Sequence, residues 1–140
     1  GRPNIEKSVV DFANRYSTKV SAQIGYNEDM AHKLYAGCDF IVIPSYYEPC
    51  GLIQMIAMKY ATLPVASKTG GLKDSISNGK NGILFKKNSV SSLVKAIKEA
   101  LSLYKNKKDF KNMLMDAIKT DFSWDKSAKL YKKLYEEMVK

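Results

Sequence analysis

The run DFIVIP at residues 39–44 limits the possible folds more than any other stretch. Its apolar residues are consecutive and mostly β-branched or aromatic, so both faces of a strand here would be apolar. Such a strand needs cover on both sides, the situation of a central strand in a parallel sheet. Pro44 lacks an N–H for the ladder and ends the run. LPVAS (63–67) reads as a second short buried strand, and NGKNGILF (78–85) as a turn leading into another. KVSAQIG (19–25) reads as a fourth, ended by Gly25.

Between these runs the apolar spacing changes to that of a helix. Residues 4–16 place Ile5, Val9, Phe12 and Tyr16 on one face. Residues 27–37 start at a capping Asn27, carry Glu28 and Asp29 in the first turn and stop at Gly37. GLIQMIAMKYA (51–61) reads as a buried helix, and TGGLKDSI (69–76) as a glycine turn opening a short one. Three helices complete the chain. Residues 89–104 follow a Ser or Asn cap and align Val90, Leu93, Val94, Ile97, Ala100 and Leu101. Residues 107–119 come next, and 123–140 start at Ser123 and are expected to bury Ala128, Tyr131, Leu134, Tyr135 and Met138. Helices alternating with short apolar strands predict an α/β fold with a parallel sheet. We expect one Rossmann-like domain over 1–140, with the α/β portion up to about residue 88 and C-terminal helices beyond.

Composition narrows the function classes. The chain has 140 residues, 45% apolar and 26% charged, which is ordinary for a globular domain. No apolar run approaches the ~20 residues that span a bilayer, and the first residues, GRPNIEKSVVDF, have no apolar signal-peptide core. The net charge of +9 favours an anionic partner. Much of that excess is C-terminal lysine at helical spacing, which reads as a solvated helix face. Cys38, Cys50 and the single histidine, His32, make no metal-ligand set, and no cofactor is expected. Two cysteines suit a reduced cytosolic setting. His32 reads as structural or surface, and Met55, Met58, Met113 and Met115 as core filler.

Three features could carry chemistry. Glu48 lies in SYYEPCGL, between a strand end and a helix start. A carboxylate there either faces a ligand in the crevice at the sheet's C-terminal edge or favours the positive end of the next helix. Thr69, Gly70 and Gly71 form either a cradle whose N–H groups approach an oxyanion or an ordinary strand-to-helix turn. Tyr26 follows the 19–25 run and either stacks on a base or is a half-buried loop residue. The three follow successive expected strands, so they would open on one edge of a parallel sheet.

At these residues the chain resembles the C-terminal half of bacterial glycogen synthases and plant starch synthases. The resemblance covers GYNEDMAHKLYAGCDFIVIPSYYEPCGLIQMIAMKYATLPVASKTGGLKDSI, NGILF and DFSWDKSAKLYKKLY, and its most specific words are EPCGL and TGGL at this separation. It implies a retaining glycosyltransferase of the GT-B architecture, two facing Rossmann-like domains. The reaction implied is transfer of glucose from ADP-glucose, less often UDP-glucose, to the non-reducing end of an α-1,4-glucan. Glu48 would be the active-site glutamate near the donor glucose. Cys50, Gly51 and Leu52 would line the sugar and phosphate, Thr69, Gly70 and Gly71 would face the glucosyl and phosphate end, and Tyr26 would pack on adenine. Implied partners are the nucleotide-sugar, the glucan and an N-terminal domain of the same chain, on which the last helix would pack. No nucleic acid or membrane partner is expected, and the setting would be the bacterial cytoplasm, or a plastid for a plant-type source.

The chain also departs from the family. The second glutamate of the larger relative family's pattern is Ile56 here, and the usual glycine after KY is Ala61. The family's basic diphosphate pair, its N-terminal domain and the first two strands of the 3-2-1-4-5-6 sheet have no counterpart in these 140 residues. We therefore expect a segment of a longer enzyme that is inactive alone and has 39–44 as an exposed apolar edge. Two other readings are open to the sequence. A related glycosyltransferase would use another nucleotide-sugar. A basic α/β nucleic-acid-binding module would need aromatics interleaved with its basic surface.

Overall fold

Leu63–Ser67 (β2) is buried at every position, and it occupies the middle of a three-stranded parallel sheet. Phe40–Ile43 (β1) pairs with it from Phe40↔Leu63 to Ile43↔Ala66, and Ile83–Phe85 (β3) from Val65↔Ile83 to Ser67↔Phe85. These relations come from a computed structural model that describes residues 2–86 and 89–139. The chain forms two compact units, residues 1–31 and 32–140.

The first unit contains the helix Pro3–Arg15 (α1), with proline in its opening turn where a missing N–H costs nothing. Ile5, Val9, Phe12 and Tyr16 do share a face, but they are 44–54% exposed. Residues 19–25 form no strand. An extended run becomes a strand only when a neighbour accepts its ladder bonds, and no described segment pairs with this one. The helix Glu28–Gly37 (α2) begins where expected, with Asn27 Oδ1 accepting the Met30 N–H at 2.9 Å.

In the second unit, helices cover both faces of the sheet. Ile53–Lys59 (α3), Gly70–Ser75 (α4) and Lys107–Lys119 (α6) contribute Met58, Leu72, Phe110, Met113 and Ala117 to a core with Ile43, Leu63 and Ala66. On the other side Val90–Lys105 (α5) packs Ala96 and Ala100 on Val65, Ile83 and Phe85. Its buried stripe runs Leu93–Ala96–Ala100–Leu103, rotated from the face expected, and Val90, Val94 and Leu101 are exposed. Two alanines let the helix approach the short β3, whereas the larger side chains turn outward. Ser89 caps α5, accepting the Ser92 N–H at 3.3 Å. The alternative cap, Asn88, lies outside the described residues, as does Lys140.

The helix α3 is shorter than the 51–61 pattern, and its end is a complete Schellman turn. Thr62 N–H reaches Ala57 O at 2.9 Å and Ala61 N–H reaches Met58 O at 3.1 Å. Ala61 takes φ +63°, the one left-handed non-glycine among the described residues. Lys59 then donates to Ile118 O (2.9 Å) and Thr120 O (2.8 Å), tying α3 to the last carbonyls of α6. Met58 and Met113 are core residues as expected, but Met115 is 42% exposed. His32 bonds Tyr60 Oη at 3.0 Å.

Trp124–Met138 (α7) starts at the expected cap, Ser123, but buries no residue. Tyr131, Leu134, Tyr135 and Met138, expected in a core, are 49–73% exposed. The C-terminal lysines are solvated, with Lys132–Glu136 (3.9 Å) and Lys133–Glu137 (3.8 Å) as exposed pairs. As the sequence predicted, β1 is an edge strand, and Val42 is 43% exposed.

Candidate functional site

A parallel sheet opens all its C-terminal strand ends on one edge, and at this edge two loops meet. The loop 44–52 leaves β1, and the turn 68–69 leaves β2 for α4. Glu48 lies five residues beyond the end of β1, so the loop rather than the strand sets its position. Thr69 lies two residues beyond β2.

Bonds to carbonyls of the first loop join it to the end of β2 and to the turn. Ser67 Oγ donates to Ser45 O at 2.5 Å, and Gly71 N–H donates to Glu48 O at 2.9 Å. Thr69 Oγ1 reaches Tyr46 O in a longer contact of 3.4 Å. The approach is so close that only glycine fits the turn. A Cβ on Gly70, which also has φ +40°, would lie 1.7 Å from Glu48 O, and one on Gly71 would lie 2.2 Å from Cys50 O. The glycine pair therefore does two things. The Gly71 N–H is committed to the neighbouring loop, whereas the Gly70 N–H makes no hydrogen bond among the described residues.

This packing brings together Glu48, Cys50, Gly51, Leu52, Thr69, Gly70 and Gly71. The Glu48 carboxylate is half-buried, with Ser45 Oγ 3.4 Å from Oε2. Cys50 and Leu52 are exposed, and Gly51 has φ +76°. Tyr26 belongs to the first unit. It follows Gly25 at φ +98°, precedes the cap of α2 and is 90% exposed, so it is a free aromatic face rather than a half-buried one.

Several residues of this region escape the motifs. Gln54, at 0% exposure, lies under the first loop. Its signal was a polar residue on the apolar stripe Gln54–Ala57–Met58 of a buried helix, where an amide needs partners. Next to Cys50 an open groove of about 640 Å³ is lined by Cys50, Leu52, Gln54, Gly71, Asp121 and Trp124. Asp121 accepts the Ser123 N–H at 2.8 Å. That bond, with Lys126 and Lys59 nearby, holds its carboxyl below the usual aspartate range. Among the described residues no cluster of three His, Cys, Asp or Glu could hold a metal ion, and no helix is long and apolar enough to cross a membrane.

Comparison with known proteins agrees with this fold. The family described as glycosyl transferases group 1 matches residues 12–113. The glycogen synthase of Thermodesulfovibrio yellowstonii is 45% identical over 139 residues, 99% of this chain and 28% of its own length. That of Kosmotoga olearia is 41% identical over 145 positions, 99% of this chain and 30% of its own. The catalytic domain of starch synthase IV from Arabidopsis thaliana, solved bound to ADP and acarbose, has a TM-score of 0.82 at 34% identity. The match covers 98% of this chain and 30% of that one. The chain thus spans less than a third of the length of these relatives.

Proposed function

Because this chain belongs to the glycosyl transferases group 1 family, we propose that it is the nucleotide-sugar-binding part of a retaining glucosyltransferase. The donor is ADP-glucose and the acceptor the non-reducing end of an α-1,4-glucan. The observation that carries this reading is the joined pair of loops, Glu48–Leu52 and Thr69–Gly71, at the C-terminal edge of the sheet. Its support is the 34% identity to a starch synthase solved with ADP and the 45% identity to a glycogen synthase.

In this reading the bond between the glucose anomeric carbon and the diphosphate oxygen breaks, and its electron pair leaves with ADP. The acceptor hydroxyl bonds to the same face of that carbon and passes its proton to the leaving diphosphate. Negative charge grows on the diphosphate, where the Gly70 N–H and basic groups outside this segment would stabilise it. Glu48 faces the positive charge developing at the anomeric carbon or orients the sugar. Cys50, Gly51 and Leu52 line the sugar and phosphate, Thr69, Gly70 and Gly71 face the glucosyl and phosphate end, and Tyr26 packs on adenine. The acceptor groove lies outside these 140 residues, so the segment alone is expected not to elongate glucan.

The test uses the full-length enzyme. ADP-glucose should give the higher kcat/KM, and UDP-glucose doing so would change the donor. Glu48→Ala should lower kcat by about 10³-fold while changing donor KM only a few-fold. Equal losses in both would make Glu48 a binding group alone.

A further inference from the structure

We propose that Gln54 and Ser75 are positioning residues that lock the two site loops into one body; their effect on turnover rests on the function proposed above. Gln54 Nε2 is 2.9 Å from Gly51 O, 3.0 Å from Ser75 Oγ and 3.2 Å from Cys50 O. The two carbonyls can only accept, so the nitrogen of the amide must be the atom that faces them. Accepting from Gln54 leaves Ser75 its own proton, which it donates to Gly71 O at 2.7 Å. An unbroken chain of donors therefore runs from Gly51 O through Gln54 and Ser75 to Gly71 O. It joins the loops a second time, in addition to the Gly71 N–H to Glu48 O bond.

The other half of the amide shows why this is more than core filling. Gln54 Oε1 is buried and has no hydrogen-bond partner among the described residues. An apolar side chain of similar length would avoid that cost. What the amide contributes is its two donors, and both are directed at the loop that carries Glu48, Cys50 and Gly51 or at the serine bridging to the glycine turn. Both halves of this pair would contact the sugar and its diphosphate, so a loosened tie misaligns the groups that hold the reacting bond.

The experiment replaces Gln54 by Met, which is close in size and lacks donors, in the full-length enzyme. Ser75→Ala breaks the chain one link later in a half-buried side chain, and Ser75→Thr restores the hydroxyl. Gln54→Met and Ser75→Ala should each lower kcat of folded enzyme by about 10–100-fold, the cost of a small misplacement of reacting groups. Calorimetric affinity for ADP alone should stay within about threefold, because misplacement acts on turnover. Ser75→Thr should recover most of the turnover. Amide exchange at Gly71 should speed up about tenfold in both damaging variants while β2 amides keep their protection, as local opening requires. Unchanged Gly71 exchange, or equal acceleration across β2, would show that the pair only supports the core and would overturn the proposal. If the wild-type enzyme moves no glucose from ADP-glucose, the function above fails, and the Gly71 exchange result alone decides the tie.

Discussion

The helices α6 and α7 look alike in sequence and differ entirely in surroundings. Each starts at a side-chain cap, Asn106 accepting the Asp109 N–H and Ser123 accepting the Lys126 N–H. Each carries apolar residues at helical spacing. Yet α6 buries Phe110, Met113 and Ala117 against the sheet, and α7 buries nothing. An amphipathic pattern states that a face needs cover; it does not state whether the cover lies in the same 140 residues. The difference teaches that α6 belongs to the core of this segment, whereas the apolar face of α7 finds no such cover among the described residues.

The largest effect should separate the two faces directly. Phe110 is 9% exposed, with ring neighbours Phe40 and Tyr104 at 5.5 and 5.2 Å, so Phe110→Ala should cost about 3–5 kcal/mol in urea unfolding. Leu134→Ala on α7 should stay within about 0.5 kcal/mol in the 140-residue segment. A loss on α7 as large as that on α6 would break the comparison. A loss of about 2 kcal/mol or more only in the longer protein would sharpen it, since truncating a newly covered leucine costs that much.

A smaller effect of opposite sign belongs to the covered side. The core of α6 rests against α3, whose closing turn holds Ala61 at φ +63°. Ala61→Gly should stabilise the segment by about 1 kcal/mol, because glycine takes that conformation without a Cβ clash.

The smallest effect concerns the junction of the two helices and is set by pH. Asp121 titrates below the usual aspartate range because it accepts the Ser123 N–H and lies near Lys126 and Lys59. A depressed carboxyl contributes stability above its unfolded pKa, near 3.9, and loses it as pH falls through the lower folded value. The Asp121 carboxyl resonance should therefore titrate below about 3.9, with Ser123 amide exchange accelerating over the same interval. A midpoint at the ordinary value would remove the junction's electrostatic contribution.

What the sequence made legible follows from where the information is stored. Residues 63–67 and 107–119 match their elements residue for residue, because each is bounded by its own punctuation and its burial is satisfied nearby. The left-handed position at Ala61 was marked only by the resemblance, whose usual residue after KY is glycine, because the apolar pattern itself carried the helix through residue 61. Residues 19–25 were not, because a strand is defined by a partner and none of the described residues supplies one. The stripe of α5 turned toward Ala96 and Ala100, since the short β3 admits a close helix more readily than a bulky one. At the site, the words EPCGL and TGG were visible, but their mutual grip was not. That grip depends on Gln54, which reads as one polar residue inside an apolar helix.

The grip has a further consequence. Ser45, Tyr46, Glu48, Cys50 and Gly51 are all held through their carbonyl oxygens. Among the described residues, none of these bonds to the turn or to Gln54 uses the side chain of Tyr46, Glu48 or Cys50, and Tyr46 and Tyr47 are 84% and 77% exposed. The loop's course is thus decoupled from the chemistry displayed on it. Side chains at positions 46, 47 and 50 can therefore be exchanged while the carbonyl anchors of the loop are kept, so evolution, or a randomised library, can vary them and leave the scaffold alone.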